Sequence, residues 1–285
     1  MKHVILMTVY KDIKLVNQLI DTTPSNFDFF IHIDKKSKIS NKDISARAHI
    51  YKVYKVYWGG IEHLKSFLFL MKEALKYATY DFYHLITGQD FFCIPFDKVD
   101  CIFEKKYIYI DSFALPKEKW WGRGGENILQ TKTLSSFGDV RKPYIKELNS
   151  LIGLVQKLFH LESSLPEYPL YGGSVYCSLP DYVVEECLYG NIAKDLLKRL
   201  QNTTCGEEIF FQTVLNNSIF KNRIINNNLR YIDWSVPKGP RVLEEGDFDK
   251  IIKANKIFCR KIDLSYSMGL LRKLILYCTT IEKER

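Results

Sequence analysis

Glu207 and Glu208 stand side by side at the head of an apolar run, Ile209-Phe210-Phe211-Gln212-Thr213-Val214-Leu215, and isolated cations follow at Arg241 and at the Arg260-Lys261 pair. A carboxylate can take a proton from an attacking hydroxyl. Preorganised Arg and Lys can hold an anion as it departs. Together these residue types suit moving a group off a phosphate leaving group. Either acid can be the base at this stage, and acids at a helix start are also favoured simply by the helix macrodipole.

The elements that would position these groups read as an α/β chain. Val4–Val9 is a continuous apolar run, a helical pattern follows over 12–20, and a second apolar run, 27–34, ends in His32 and Asp34. Two buried strands around a helix predict a parallel sheet with ligands at its carboxyl edge. A third strand is expected over His49–Tyr57, a helix over Ile61–Ala78 from the spacing of Leu64, Phe67, Leu68, Met71 and Leu75, and a central strand over Asp81–Asp90. The polar stretch from Asp111 to Arg141, with Trp120-Trp121-Gly122-Arg123-Gly124-Gly125, reads as a long loop beside a site. Beyond it come a helix around Leu148–Phe159, a strand over Tyr171–Leu179 and a helix from Pro180 to Leu200. A short strand over Leu229–Trp234 and a helix over Leu264–Tyr277 complete the reading. The division is one domain over 1–263 and a C-terminal amphipathic helix over 264–285.

Composition narrows the partners. At 285 residues and 46% hydrophobic the chain can bury a substantial core. Its net charge of +8 favours anionic substrates or a membrane surface. The basic residues are scattered among acids without a nucleic-acid-binding pattern, so no nucleic-acid partner is expected. Seven cysteines, never as C-x-x-C, suggest neither a disulfide framework nor a zinc site and read as buried thiols in a reducing cytosol. No apolar stretch is long enough to span a bilayer. Asp247-Phe248-Asp249 is formally an Asp-x-Asp, but it sits where acids cap a helix.

Six motifs in order, His32-Ile33-Asp34-Lys35-Lys36-Ser37, Trp58-Gly59-Gly60, Leu85-Ile86-Thr87-Gly88-Gln89-Asp90, Gly173-Ser174-Val175-Tyr176, Gly206-Glu207-Glu208 and Phe258-Cys259-Arg260-Lys261-Ile262-Asp263, resemble the core-2/I-branching β-1,6-N-acetylglucosaminyltransferases and related peptide O-xylosyltransferases, glycosyltransferase family 14. The resemblance implies a GT-A-like (Rossmann-like) fold, a mixed, mostly parallel central sheet flanked by helices with the C-terminal helix added. It also implies inverting transfer from a UDP-sugar with no cofactor and no metal. Glu208 matches the family's base, Arg241 and Lys261 its diphosphate-binding cations, and His32, Asp34, Trp58 and Gly59 its donor side. Asp111, Lys117, Trp120, Tyr176 and Trp234 stand on the acceptor side, where Val236 replaces an expected Tyr. The chain lacks the stem, anchor and disulfides of the animal Golgi enzymes, so the expectation is a bacterial-type member. It would be cytoplasmic and peripheral on the inner face of the plasma membrane. It would move a sugar, GlcNAc first among candidates, onto an oligosaccharide acceptor, suitably lipid-linked, in capsular or other surface polysaccharide synthesis. Set against this are a non-catalytic carbohydrate- or nucleotide-binding protein and a basic peripheral membrane protein.

Overall fold

The computed structural model describes residues 1–237 and 239–280. Seven strands form the main sheet: β1 (His3–Val9), β2 (Phe27–Ile33), β3 (Ala48–Tyr51), β4 (Phe82–Thr87), β6 (Ile108–Ile110), β9 (Cys177–Pro180) and β10 (Ile224–Asn226), in the order β10-β6-β9-β4-β1-β2-β3. All neighbours pair in parallel except β9, which runs against both β4 and β6. This is the mixed, mostly parallel sheet expected. A smaller sheet joins β5 (Phe91–Phe92), β11 (Arg230–Ile232) and β12 (Phe258–Arg260), and β7 (Phe113–Ala114) pairs with β8 (Tyr171–Gly172). The helices are α1 (Ile13–Thr22), α2 (Glu62–Tyr77), α3 (Val99–Ile102), α4 (Asn127–Gln130), α5 (Pro143–Leu158), α6 (Val184–Tyr189), α7 (Asn191–Arg199), α8 (Glu207–Asn216), α9 (Phe248–Lys253) and α10 (Met268–Thr279).

Strand periodicity splits the core in two. Val4 and Leu6 point into a core shared with α2, α6, α7 and α8, whereas Ile5, Met7 and Val9 point into one shared with α1 and α10. Burial on both faces is why β1 is apolar from Val4 to Met7 and again at Val9, with Thr8 the one polar residue after His3. In α10 the residues Leu270, Leu271, Leu274 and Cys278 are buried, so its apolar face belongs to the second core. Residues 281–285 of the expected C-terminal helix lie outside the described residues.

The chain runs from β1 outward through β2 to β3, then returns through α2 to β4 on the other side of β1. The reversal opens a crevice at the carboxyl ends of β1 and β4, the usual ligand position in such sheets. Three expected elements differ. The third strand ends at Tyr51 because the next amides turn to side chains: those of Val53 and Tyr54 donate to His32 Nε2, and that of Val56 to Asp34 Oδ1. The strand expected over 171–179 is two short pieces, β8 and β9. The helix after Pro180 breaks at Gly190, whose ψ of 154° is not helical. No helix among the described residues is long and apolar enough to cross a membrane. All seven cysteines are unpaired and six are buried; Cys101 is exposed, against the reading of all seven as buried.

Candidate active site

α8 is buried along almost its whole length, its polar Gln212 and Thr213 included, so its first turn is held by the core. The entry is fixed from outside the helix: the Cys205 amide donates to the Gly59 carbonyl at 2.8 Å. Gly59 itself has φ +79°, and a Cβ there would meet Thr204 Cγ2 at 3.1 Å and Val140 Cγ2 at 3.2 Å. Gly59→Ala is therefore expected to cost about 1–2 kcal/mol of stability and to disturb the two acids that follow. Thermal melting checks the first effect, and an unchanged melting temperature would overturn it.

The two acids have different surroundings. Glu207 is buried, with Oε1 3.3 Å from His63 Nδ1, and His63 Nε2 lies 3.2 Å from Thr8 Oγ1 on β1. Glu207 is thus braced against the sheet. Glu208 is partly exposed, and Trp121 Nε1 donates to its Oε2 at 2.8 Å. Burial, reinforced by the Glu207 charge, raises the Glu208 carboxyl to about 7 despite the opposing Trp121 hydrogen bond. The helix N-terminus favours the anion, but desolvation and like charge win. A carboxylate with a pKa near 7 is poised for proton abstraction at neutral pH.

One turn on from Glu208, Gln212 donates from Nε2 to the Ser174 carbonyl at 2.7 Å, and the Gly173 amide donates to the Glu208 carbonyl at 2.9 Å. The 173–176 segment is thereby clamped to α8. At its end the Tyr176 ring lies under the Arg260 guanidinium, 4.0 Å from the ring centroid. Arg260 is buried, with Nε 3.8 Å from Asp90 Oδ1, yet its Nε and Nη1 have no hydrogen-bond partner. Unmade hydrogen bonds on a buried guanidinium are costly unless a ligand completes them.

Lys261 follows, half-buried and without a carboxylate partner among the described residues. Burial and the neighbouring cations Lys11, Arg260 and Arg141 lower its pKa. Arg141 also stacks on the partly exposed Trp58, 5.1 Å from its centroid. These cations gather at the β1/β4 crevice: Lys11 follows β1, Asp90 follows β4, and the Ile262 amide donates to the Gln89 carbonyl at 2.9 Å.

The other candidates are distributed differently. His32 is buried on β2, accepts two amides at Nε2, leaves Nδ1 unpartnered, and is lowered by burial to about 4. Asp34 accepts from the Lys36 amide and Nζ and from the Val56 amide. Both residues shape the 52–57 segment that leads to Trp58. Arg241 is held by Asp233 at 2.8 Å and Asp247 at 2.6 Å, which raise its pKa and offset its charge. Asp247 is occupied in turn by Arg241 and by the Glu244 amide, so it is not free to pair with Asp249 on a metal. Asp111 binds Asn228, Lys117 sits 3.7 Å over the Phe113 ring, and Trp120 packs on Phe113 and Trp121. Trp234 projects from the loop after β11 and is 64% exposed. Trp121 lies in the Gly-rich stretch read as a loop beside a site, whereas His63 and Arg141 carry no motif of their own and reach the site only through tertiary structure.

The chain is thus an α/β protein with a carboxylate and a group of cations at the carboxyl edge of a mostly parallel sheet. More narrowly, the chain belongs to the Core-2/I-Branching enzyme family, which it matches over residues 4–252. It is 31% identical over 99 residues to the beta-glucuronosyltransferase GlcAT14A of Arabidopsis thaliana, covering 33% of this chain and 22% of that one. It is 24% identical over 225 residues to a xylosyltransferase of Ciona intestinalis, covering 74% of this chain and 24% of that one. The chain thus spans less than a quarter of the length of either relative. Among solved structures, the apo glycosyltransferase GlyE of Streptococcus pneumoniae TIGR4 aligns with 99% of this chain and 61% of its own at 10% identity and a TM-score of 0.40, too distant to carry an argument.

Proposed function

We propose that this chain is a GT-A-like, inverting glycosyltransferase that moves a sugar from a UDP-sugar to a glycan hydroxyl without a metal. The observation that carries the reading is Glu208, a partly exposed carboxylate raised to about 7 on a rigid helix start, within one connected network with Tyr176 and Arg260. Glu208 takes the acceptor's proton while the acceptor oxygen attacks the anomeric carbon. The bond to the β-phosphate oxygen breaks on the opposite face, and UDP leaves with the electron pair. Lys261 and Arg260 receive the diphosphate charge that a metal would otherwise balance. Arg241, already offset by two carboxylates, organises the loop beside Trp234. The exposed face of Trp121, beside Glu208, suits the C–H side of a pyranose and supports an acceptor bound there.

The two relatives are named for different sugars, glucuronic acid and xylose. UDP-GlcNAc, the donor of the branching enzymes the motifs resemble, is therefore one candidate among several UDP-sugars, and a surface glycan is the acceptor class. A thermal-shift panel of UDP-GlcNAc, UDP-glucuronic acid, UDP-xylose and UDP-glucose, followed by transfer assays in EDTA, tests the reading. One donor is expected to stabilise the fold and to be turned over in the chelator. Strict metal dependence would remove the cation-only mechanism, and binding without any hydrolysis or transfer would favour a binding protein.

A further inference from the structure

The apolar residues of α5 face the wrong way for a packed helix. Ile145, Asn149, Ile152 and Gln156 make the inward row, and Gln156 holds Lys132 through its amide. The solvent side carries Leu148, Leu151, Leu154, Val155, Leu158 and Phe159, from 40% exposed at Val155 to 69% at Phe159. A contiguous apolar face of this size on a monomer surface marks a contact site. Beside it runs a polar row with Lys146 and Lys157, neither in a close ion pair among the described residues although Glu162 lies within electrostatic reach of Lys157, and Lys142 stands just before the helix. Glu147 is the one acid on α5 outside its inward row.

We propose that α5 is the chain's membrane-docking helix, lying in the interface of an anionic bilayer with its leucines in the acyl boundary and its lysines at the headgroups. Two observations select lipid over a second copy of the chain. The stripe is broader than the narrow seam of paired helices. Its basic flank, on a protein of net charge +8, repels a like copy but attracts anionic headgroups. The C-terminal helix, the sequence's other candidate for this role, has its apolar face spent in the core. Docking through α5 also sets the bilayer beside the crevice, because Arg141, ahead of the helix, stacks on Trp58. Resting on the proposed function, this orientation suits a lipid-linked acceptor. Membrane binding itself does not depend on that function.

Flotation of the full chain with phosphatidylglycerol-containing and with pure phosphatidylcholine vesicles tests the assignment. Wild type is expected to float with the anionic vesicles, less so at high salt, and weakly with the neutral ones. The Leu151→Glu/Leu158→Glu variant should lose about tenfold or more of the partitioning while keeping its melting temperature and its UDP affinity. Should that variant fail to fold, Lys146→Ala/Lys157→Ala, on the exposed flank, is expected to lower binding to anionic vesicles and flatten its salt dependence. Undiminished binding by the folded variants, or no binding by wild type, would overturn the proposal. So would a dimer in light scattering that Leu151→Glu/Leu158→Glu splits, since a second copy would then cover the face. A chain that docks but transfers no sugar would fail the proposed function and leave the docking helix standing.

Discussion

Replacing Glu208 with Gln is expected to lower transfer by about 10³-fold or more while leaving UDP affinity within a few-fold, because the amide keeps the shape and cannot take the acceptor's proton. The pH dependence sharpens this. The base works when deprotonated, so the rate should rise with pH through about 7 and level off above it. Trp121→Phe removes a hydrogen bond that favours the carboxylate, so it should shift the rising limb to higher pH with a smaller loss at the plateau. A merely structural tryptophan would leave the limb in place.

The stability of the fold should move the other way. A carboxyl raised in the folded state contributes stability that is present at low pH and lost as pH rises through its folded value of about 7. Above that pH Glu208→Gln should be more stable than wild type, by about 1–3 kcal/mol, as expected where a site holds a charge at the expense of the fold. Near-normal turnover in Glu208→Gln would end its assignment as base. Glu207 would then be the group to test, although its brace through His63 to Thr8 fits a positioning role.

What the sequence made legible follows from how local each signal is. Strands β1 and β2 announce themselves as continuous apolar runs of strand length, and helix α2 as an apolar row at three- and four-residue spacing. The 52–57 segment has a strand's pattern but not its pairing, because its amides donate to His32 and Asp34, 22 residues back in the chain. The break at Gly190 leaves no mark on the apolar pattern, which continues across it. In α5 the periodicity is plain, but periodicity does not say which row faces the core; the polar Gln156 faces inward and Leu158 outward. Within the site, Glu208 is visible as an acid opening a helix, whereas Trp121, His63 and Arg141 meet it only through long-range folding. Arg241 and Lys261 are equivalent in sequence, and the two carboxylates on Arg241 are what separate them.

That separation carries the last expectation. Lys261→Ala should weaken UDP binding about tenfold or more and lower transfer by about 10²–10³, the usual scale for losing one preorganised charge partner of a departing anion. Free Lys261 is depressed by burial and by Lys11, Arg260 and Arg141. An arriving diphosphate would favour the charged lysine and raise it again, so UDP binding should weaken at alkaline pH as free Lys261 loses its proton. Calorimetric titration of UDP from neutral to alkaline pH reads the weakening, and Lys261→Ala should flatten it. Arg241→Ala should behave differently. It leaves Asp233 and Asp247 without their shared partner and should cost about 1–3 kcal/mol of stability, with a smaller effect on UDP affinity at temperatures where the fold holds. Equal affinities in wild type and Lys261→Ala, or a larger loss of affinity in Arg241→Ala than in Lys261→Ala, would move the diphosphate from the β1/β4 crevice to the loop after β11.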